Sequence, residues 1–271
     1  CYQRSVAQIL LSFFLSFSVF PSLIYASSQP LKTIAVTQIV SHASLDRVRQ
    51  GVLDALVQAG YVEGKTAHYV LANAEGSPVI ASQIAAQFLA LHPDVIVAIA
   101  TPSAQAIAHV IQGTSIPLVF ASISDPIRAK LVKDLKHPDG NITGTRNVTP
   151  MDKQVALIKQ LLPRVKTIGV VLNYGEVNSV DLFEALSLAA KRLDIDVVSA
   201  AVTTSADVSL ASVSLKNKAD AIFLLQDNTV ASALPALLKV ARMYHIPVFA
   251  SYLDAMKNGA TAGLAFDEYD I

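Results

Sequence analysis

Hydroxyls, amides and carboxylates gather in six short clusters of this 271-residue sequence, each just after an apolar, β-branched run: Gln38 and His42; Thr101, Pro102 and Ser103; Ser122, Ser124 and Asp125; Glu176, Asn178 and Ser179; Asp227, Asn228 and Thr229; Ser251 and Tyr252. In open α/β sheets, ligands bind beyond the carboxyl ends of the strands, where helix N-termini offer free N–H groups. Thr101-Pro102-Ser103 has the chemistry of a helix start, a hydroxyl cap with Pro at the first helical position, and its amides would receive a carboxylate without any arginine. Capping its own helix is the competing role for Thr101. Asp227-Asn228 is cap chemistry as well, but Asp227 can also accept charge-assisted hydrogen bonds from an ammonium group. No Lys or Arg directly follows a strand, which disfavours a phosphorylated or multiply anionic ligand. The inventory fits a zwitterion, with its carboxylate on the first-half helix start, its ammonium near Asp227 or Glu176, and its side chain between. Tyr174 and Tyr252 are available for aromatic contact, or are loop residues packed at the rim.

The elements that must hold these clusters occur twice. Lys32-Thr33-Ile34-Ala35-Val36 returns as Lys166-Thr167-Ile168-Gly169-Val170, and the run from Asp94 through Thr101 is echoed from Asp220 through Asp227. Ile116-Pro117-Leu118-Val119-Phe120-Ala121-Ser122 likewise has its match in Ile246-Pro247-Val248-Phe249-Ala250-Ser251. Three strand-like segments recurring in one order predict two lobes of one topology, with strand ends facing a cleft.

Short β-branched runs alternate with segments of helical period. In the first half, strands are predicted at 34–37, 66–72, 94–100 and 116–121, and helices at 45–57, 79–91 and 103–111. In the second half, strands are predicted at 167–172, 197–200, 221–225 and 247–250, with helices at 180–193, 208–216 and 230–244. Near-continuous apolar strands between helices imply a parallel sheet covered on both faces. The fold class is therefore α/β, two similar lobes, each a parallel sheet flanked by helices, with the ligand cleft between them. Residues 29–145 are expected to form the N-terminal lobe and 146–260 the C-terminal lobe. The turn at His137-Pro138-Asp139-Gly140-Asn141 and the extended Ile142-Thr143-Gly144-Thr145 form the first crossing, and 261–271 a return crossing toward the first lobe. The sequence stops abruptly at Ile271, and a piece of the fold is expected beyond it.

Composition narrows the class. Hydrophobic residues make up 52% and charged residues 15%, which excludes a disordered polymer. Lys and Arg number 21 against 21 Asp and Glu, without a basic run, so the footprint of a nucleic-acid binder is missing. Residues 1–28 read as a secretory signal, with Arg4, an apolar run at 9–25 and small residues for cleavage after Ala26 or Ser28; an uncleaved anchor is the rival reading. Export to the periplasm is the expectation. Cys1 is the only cysteine, which rules out a disulfide within the chain. A start at Cys rather than Met is read as a missing or altered N-terminus. The six His are scattered without metal-ligand spacing, and G-x-S-x-G, G-x-x-x-x-G-K-[ST] and H-E-x-x-H are absent. The sequence reads as a binding protein rather than an enzyme, without cofactor or metal and monomeric, and a clamp signalling to a membrane receptor is the alternative.

The clusters also resemble a known family. Thr37-Gln38-Ile39-Val40-Ser41-His42, Ala100-Thr101-Pro102-Ser103-Ala104-Gln105, Phe120-Ala121-Ser122-Ile123-Ser124-Asp125-Pro126, Gly140-Asn141-Ile142-Thr143-Gly144, Glu176-Val177-Asn178-Ser179 and Asp227-Asn228-Thr229 are similar to ABC-transporter substrate-binding proteins of the tryptophan- and tyrosine-binding kind. The resemblance spans 32–271. It implies a type I periplasmic-binding-protein fold, an aromatic amino acid as ligand, and delivery to a membrane permease. It also implies that Gln38, Thr101, Ser103, Ser122, Asp125, Glu176, Asn178, Ser179, Asp227 and Asn228 stand near the ligand. Two features depart from the family: no lipidation cysteine follows the apolar run, and relatives continue beyond Ile271.

Overall fold

The computed structural model describes residues 30–138, 140–265 and 269. The expected signal segment, Asp139 of the first crossing, and 266–268, 270 and 271 of the return crossing lie outside the described residues. Strand β1 (Lys32–Gln38) leads to α1 (Ala43–Gln58), β2 (Ala67–Asn73), α2 (Pro78–Leu91), β3 (Val95–Ile99), α3 (Thr101–Val110), β4 (Leu118–Ile123) and β5 (Ile142–Arg146). The second half runs α4 (Met151–Leu161), β6 (Thr167–Leu172), α5 (Val177–Lys191), β7 (Asp196–Ala201), α6 (Val208–Ser214), β8 (Ala221–Leu224), α7 (Asn228–Ser232), α8 (Leu234–Met243), β9 (Val248–Ala250), α9 (Leu253–Lys257) and β10 (Ala262–Gly263).

Two five-stranded parallel sheets result. Their orders are β2-β1-β3-β4-β5 and, read from the matching edge, β7-β6-β8-β9-β10. The orders are the same once β6 is set equivalent to β1, so the sequence repeat is a repeat of topology. Even its details recur. Asp94 accepts from the Thr33 N–H at 2.8 Å beside the start of β1, and Asp220 accepts from the Lys166 and Thr167 N–H groups at 2.7 and 2.9 Å beside the start of β6. The matching edge strands β5 and β10 each carry a glycine pressed against the neighbouring backbone. A Cβ on Gly144 would lie 2.0 Å from the Phe120 carbonyl oxygen, and one on Gly263 would lie 1.9 Å from that of Ala250.

Apolar strands buried on both faces account for the cores. Ile96, Ile99, Leu118 and Ile123 centre the first, and Ile168, Leu172, Phe223 and Phe249 are fully buried in the second sheet. This burial drives the assembly of each lobe.

Four local differences separate the structure from the sequence expectations. Residues 142–145 and 262–263 do more than cross: they pair with β4 and β9 as strands β5 and β10. Met151–Leu161 forms an additional helix whose Met151, Val155 and Ile158 join the second core. The helix expected at 230–244 is broken at Ala233, because Pro235 lacks an N–H and fits only the first turn of a new helix. Leu253–Lys257 adds a short helix after β9. Beyond β10, the buried Gln154 side chain donates to the Leu264 carbonyl at 2.7 Å and accepts from its N–H at 3.1 Å, tying α4 to the return segment. Tyr269 then donates to Asp54 of α1 at 2.9 Å.

Candidate functional site

Segments leaving the carboxyl ends of strands in both sheets line one cavity with about 40 Å³ of open volume. The first lobe contributes His42, Ser44 and Leu45 at the start of α1, Ala100 and Thr101 at the β3–α3 junction, and Ser122 and Ser124 after β4. The second contributes Asn178 of α5, Gln226, Asp227, Asn228 and Ala231 at the β8–α7 junction, and Tyr252.

The two equivalent junctions have opposite polarity. In the first lobe the N-cap of α3 is Ala100, not Thr101, which becomes the first helical residue with Pro102 second. The reason is backbone geometry: the chain turns off β3 at Ala100 with φ 72° and ψ 155°, a conformation almost confined to glycine. Alanine has no oxygen to offer, so the first-turn N–H groups, which a helix cannot satisfy internally, receive no side-chain cap from it. Ser122 is also at positive φ, 60°, where β4 ends. Its hydroxyl accepts from Asn147 at 3.3 Å, and the buried Ser124 hydroxyl has no hydrogen-bond partner among the described residues. This wall offers donors.

In the second lobe the start of α7 is closed by two carboxylates. Asp227, fully buried, caps the helix by accepting from the Val230 N–H at 2.8 Å and also accepts from the Asn173 N–H at 2.6 Å. Glu176 accepts from the N–H groups of Asn228 and Thr229 at 3.1 and 3.0 Å, from the Thr229 hydroxyl at 2.8 Å, and from the side-chain amides of Asn228 and Asn178. Burial first, and then the neighbouring Glu176 charge, push the Asp227 carboxyl up to about 7, against the pull of its N–H partners and the Ser179 hydroxyl. The side-chain amide oxygens of Asn178 and Gln226 are buried without a hydrogen-bond partner among the described residues, whereas the Gln226 backbone carbonyl accepts from Asn178. This wall offers acceptors. Between the walls, burial lowers the pKa of His42, opposed by the neighbouring Asn228 side chain and by the charges of Asp46, Glu176 and Asp254.

The structure brings Thr101, Ser122, Asn178, Asp227 and Asn228 to the cavity. Pro102 and Glu176 instead line an adjoining groove of about 500 Å³ that shares Asn228 with it. Gln38 is engaged below, donating to Asp46 and accepting from Arg49 at 2.9 Å in each case. Asp125 caps a turn by accepting from the Ile127 and Arg128 N–H groups at 2.9 and 3.0 Å. Ser103 and Ser179 are buried outside the residues that line the cavity. Tyr174 is half exposed, edge-on to Phe183, whereas Tyr252 is buried in the cavity wall. Sequence reasoning missed Ser44, Leu45, Ala100, Gln226 and Ala231. Gln226, the last residue before Asp227, was the legible one, since a polar side chain closing an apolar strand is itself a strand-end signal.

Arg128 of the first lobe spans to α5 of the second, with Nε 2.7 Å from Asp181 and a terminal nitrogen 2.9 Å from Glu184. Among the described residues no cluster of His, Cys, Asp and Glu is arranged to hold a metal ion, and no helix is long and apolar enough to cross a membrane.

A protein-family model described as ABC transporter substrate binding protein matches residues 33–271. The Tyrosine-binding protein of Clostridioides difficile (strain R20291) is 36% identical over 240 residues, covering 89% of this chain and 69% of that protein. An ABC domain from Streptococcus pneumoniae, solved in complex with L-Trp, is 34% identical with a TM-score of 0.84, covering 89% of this chain and 80% of that one. The ligand-free, open structure of a substrate binding protein with adhesive properties from Clostridium difficile is 36% identical, covering 89% and 81%, yet its TM-score is 0.61.

Proposed function

The chain belongs to the ABC transporter substrate binding protein family, and from that premise we propose that it is the solute-binding component of an importer. It takes a zwitterionic amino acid, aromatic by preference, into the interlobe cavity and hands it to a membrane permease. It acts as an exported, periplasmic protein and performs no catalysis.

The observation that carries this reading is the opposite polarity of the two equivalent helix starts. The uncapped first turn of α3 suits a carboxylate, because N–H groups and the helix dipole both favour negative charge there. The start of α7, closed by Asp227 and Glu176, suits an ammonium. A zwitterion satisfies both walls at once. Tyr252, Leu45, Ala100 and Ala231 supply apolar surface for the side chain. The named ligands of the two relatives, tyrosine and L-Trp, have this chemistry.

Hinge closure completes the mechanism. The cavity as it stands has room for only a few water molecules, so a ligand enters only when the lobes part. At nearly equal identity, this chain superposes far better on the L-Trp complex than on the open, ligand-free structure. That difference supports a closed arrangement here and an open one to which the lobes swing. We place the hinge at the two crossings, around 147–150 and 264–265, between a first lobe that ends with β5 at Arg146 and a second that ends with β10 at Gly263.

Calorimetric titration with Trp, Tyr and Phe tests the proposal. One-to-one binding of at least one of them is expected. Absence of binding to all three, in protein freed of carried-over ligand by unfolding and refolding, would overturn it.

A further inference from the structure

Glu176 does not face the cavity, yet it governs what the cavity can hold. An amide side chain presents a donor at one end and an acceptor at the other, and its neighbours decide which end points where. Asn178 is buried, and its NH₂ donates to Glu176 Oε2 at 3.2 Å, to the Gln226 carbonyl at 2.9 Å and toward the Ser179 hydroxyl at 3.4 Å. Its carbonyl oxygen is thus the end left on the cavity side, and it has no hydrogen-bond partner among the described residues. Asn228, also buried, sends its NH₂ to the same Glu176 oxygen, so its carbonyl end is turned away from Glu176.

We propose that Glu176 is a positioning residue that locks the Asn178 and Asn228 amides with their NH₂ groups turned toward it, so that Asn178 offers the cavity an acceptor rather than a donor, and thereby selects ligands with a primary ammonium over their deaminated analogues. The proposal rests on the amino-acid reading above and extends it from ligand class to the origin of discrimination. A primary ammonium has three N–H donors, and the wall offers Asp227, the Asn178 oxygen and the Gln226 oxygen. A deaminated ligand has nothing to give them, and buried acceptors left without a donor penalise its binding. Were an amide free to rotate, it would present NH₂ to the cavity and the penalty would relax.

Glu176→Gln tests this. Glutamine offers one carbonyl and one NH₂ where the carboxylate offered two acceptors, so it cannot receive both amides and the start of α7 together. The readout is the ratio of affinities for an aromatic amino acid and for the propionate that lacks only its amino group, for example L-Trp against indole-3-propionate. The ratio should fall by about ten- to a hundredfold, the range of a hydrogen bond to a charged group. A purely structural role would weaken both ligands alike and leave the ratio unchanged, which would overturn the proposal. Should Glu176→Gln not fold, Asn178→Ala removes the oriented oxygen directly: a drop confined to the amino acid supports the proposal, and an unchanged ratio refutes it. Failure of the parent protein to bind any amino acid would strike the functional reading itself and is a distinct outcome.

Discussion

Replacing Asp227 by Asn separates the two roles of this side chain, because the structure assigns opposite signs to its effects on stability and on binding. In the ligand-free protein, burial and the Glu176 charge raise the Asp227 carboxyl from 3.8 to about 7. A raised carboxyl means the folded state holds its proton more tightly than the unfolded chain, so stability is highest below the unfolded value and falls as pH rises toward 7. At about 1.4 kcal/mol per pH unit, the full cost above pH 7 is on the order of 4 kcal/mol. Asparagine carries no charge and removes this slope. It also has a single carbonyl oxygen for the two N–H groups, of Asn173 and Val230, that Asp227 accepts from, and leaving one unpaired costs about 1–3 kcal/mol. The ligand-free variant should therefore be no less stable than the parent at pH 8 and less stable at pH 3, below the unfolded value. Binding should move the other way, because the charge-assisted contact to an ammonium is lost, a weakening of about ten- to a hundredfold. Chemical denaturation at the two pH values, paired with calorimetric titration of Trp, Tyr and Phe, reads both effects. A variant that is several kcal/mol less stable at pH 8 yet binds as tightly as the parent would show Asp227 to be a helix cap alone, and the ammonium assignment would fall.

Other outcomes follow from the same geometry. Arg128→Ala should weaken binding by up to about fivefold and flatten its salt dependence, since a half-exposed cation spanning to Asp181 and Glu184 contributes only about 0.2–1 kcal/mol; titrations at low and high salt measure this. Gly144→Ala should destabilise the first lobe by about 1–3 kcal/mol or more, because its Cβ would meet the Phe120 carbonyl, and a shift of the denaturation midpoint checks it. Saturating ligand should reduce the radius of gyration in small-angle scattering as the lobes close. An unchanged radius would count against hinge closure.

Much of the fold was legible because each half spells it independently. Parallel strands covered on both faces read as continuous apolar runs, and runs such as 94–100 and 221–225 sit close to β3 and β8. Met151–Leu161 escaped notice because its three core residues are interspersed with Asp152, Lys153 and Gln154 and followed by Lys159, a surface-like pattern just past a crossing. The break at Ala233 was masked by the helical spacing of Val230, Leu234, Leu237 and Leu238, which continues across it, although Pro235 marked the place. For the site, strand-end position identified the neighbourhood but not the occupancy. Gln38 closes β1 and Glu176 follows β6 much as Thr101 follows β3, yet their hydrogen-bonding capacity is taken by Asp46 and Arg49 in one case and by Asn228 and Thr229, about fifty residues away, in the other. Such saturation is a property of tertiary partners. The strained Ala100 was equally hidden, because alanine in a position suited to glycine leaves no trace in hydropathy.

The most direct test of the central claim, that the two lobes divide a zwitterion between them, is a crystal structure with the tightest-binding aromatic amino acid. The account predicts the ammonium nitrogen within about 3 Å of Asp227 and of the Asn178 or Gln226 oxygen, and the carboxylate against the first turn of α3. A ligand bound with its carboxylate toward Asp227, or seated outside the cavity, would contradict it.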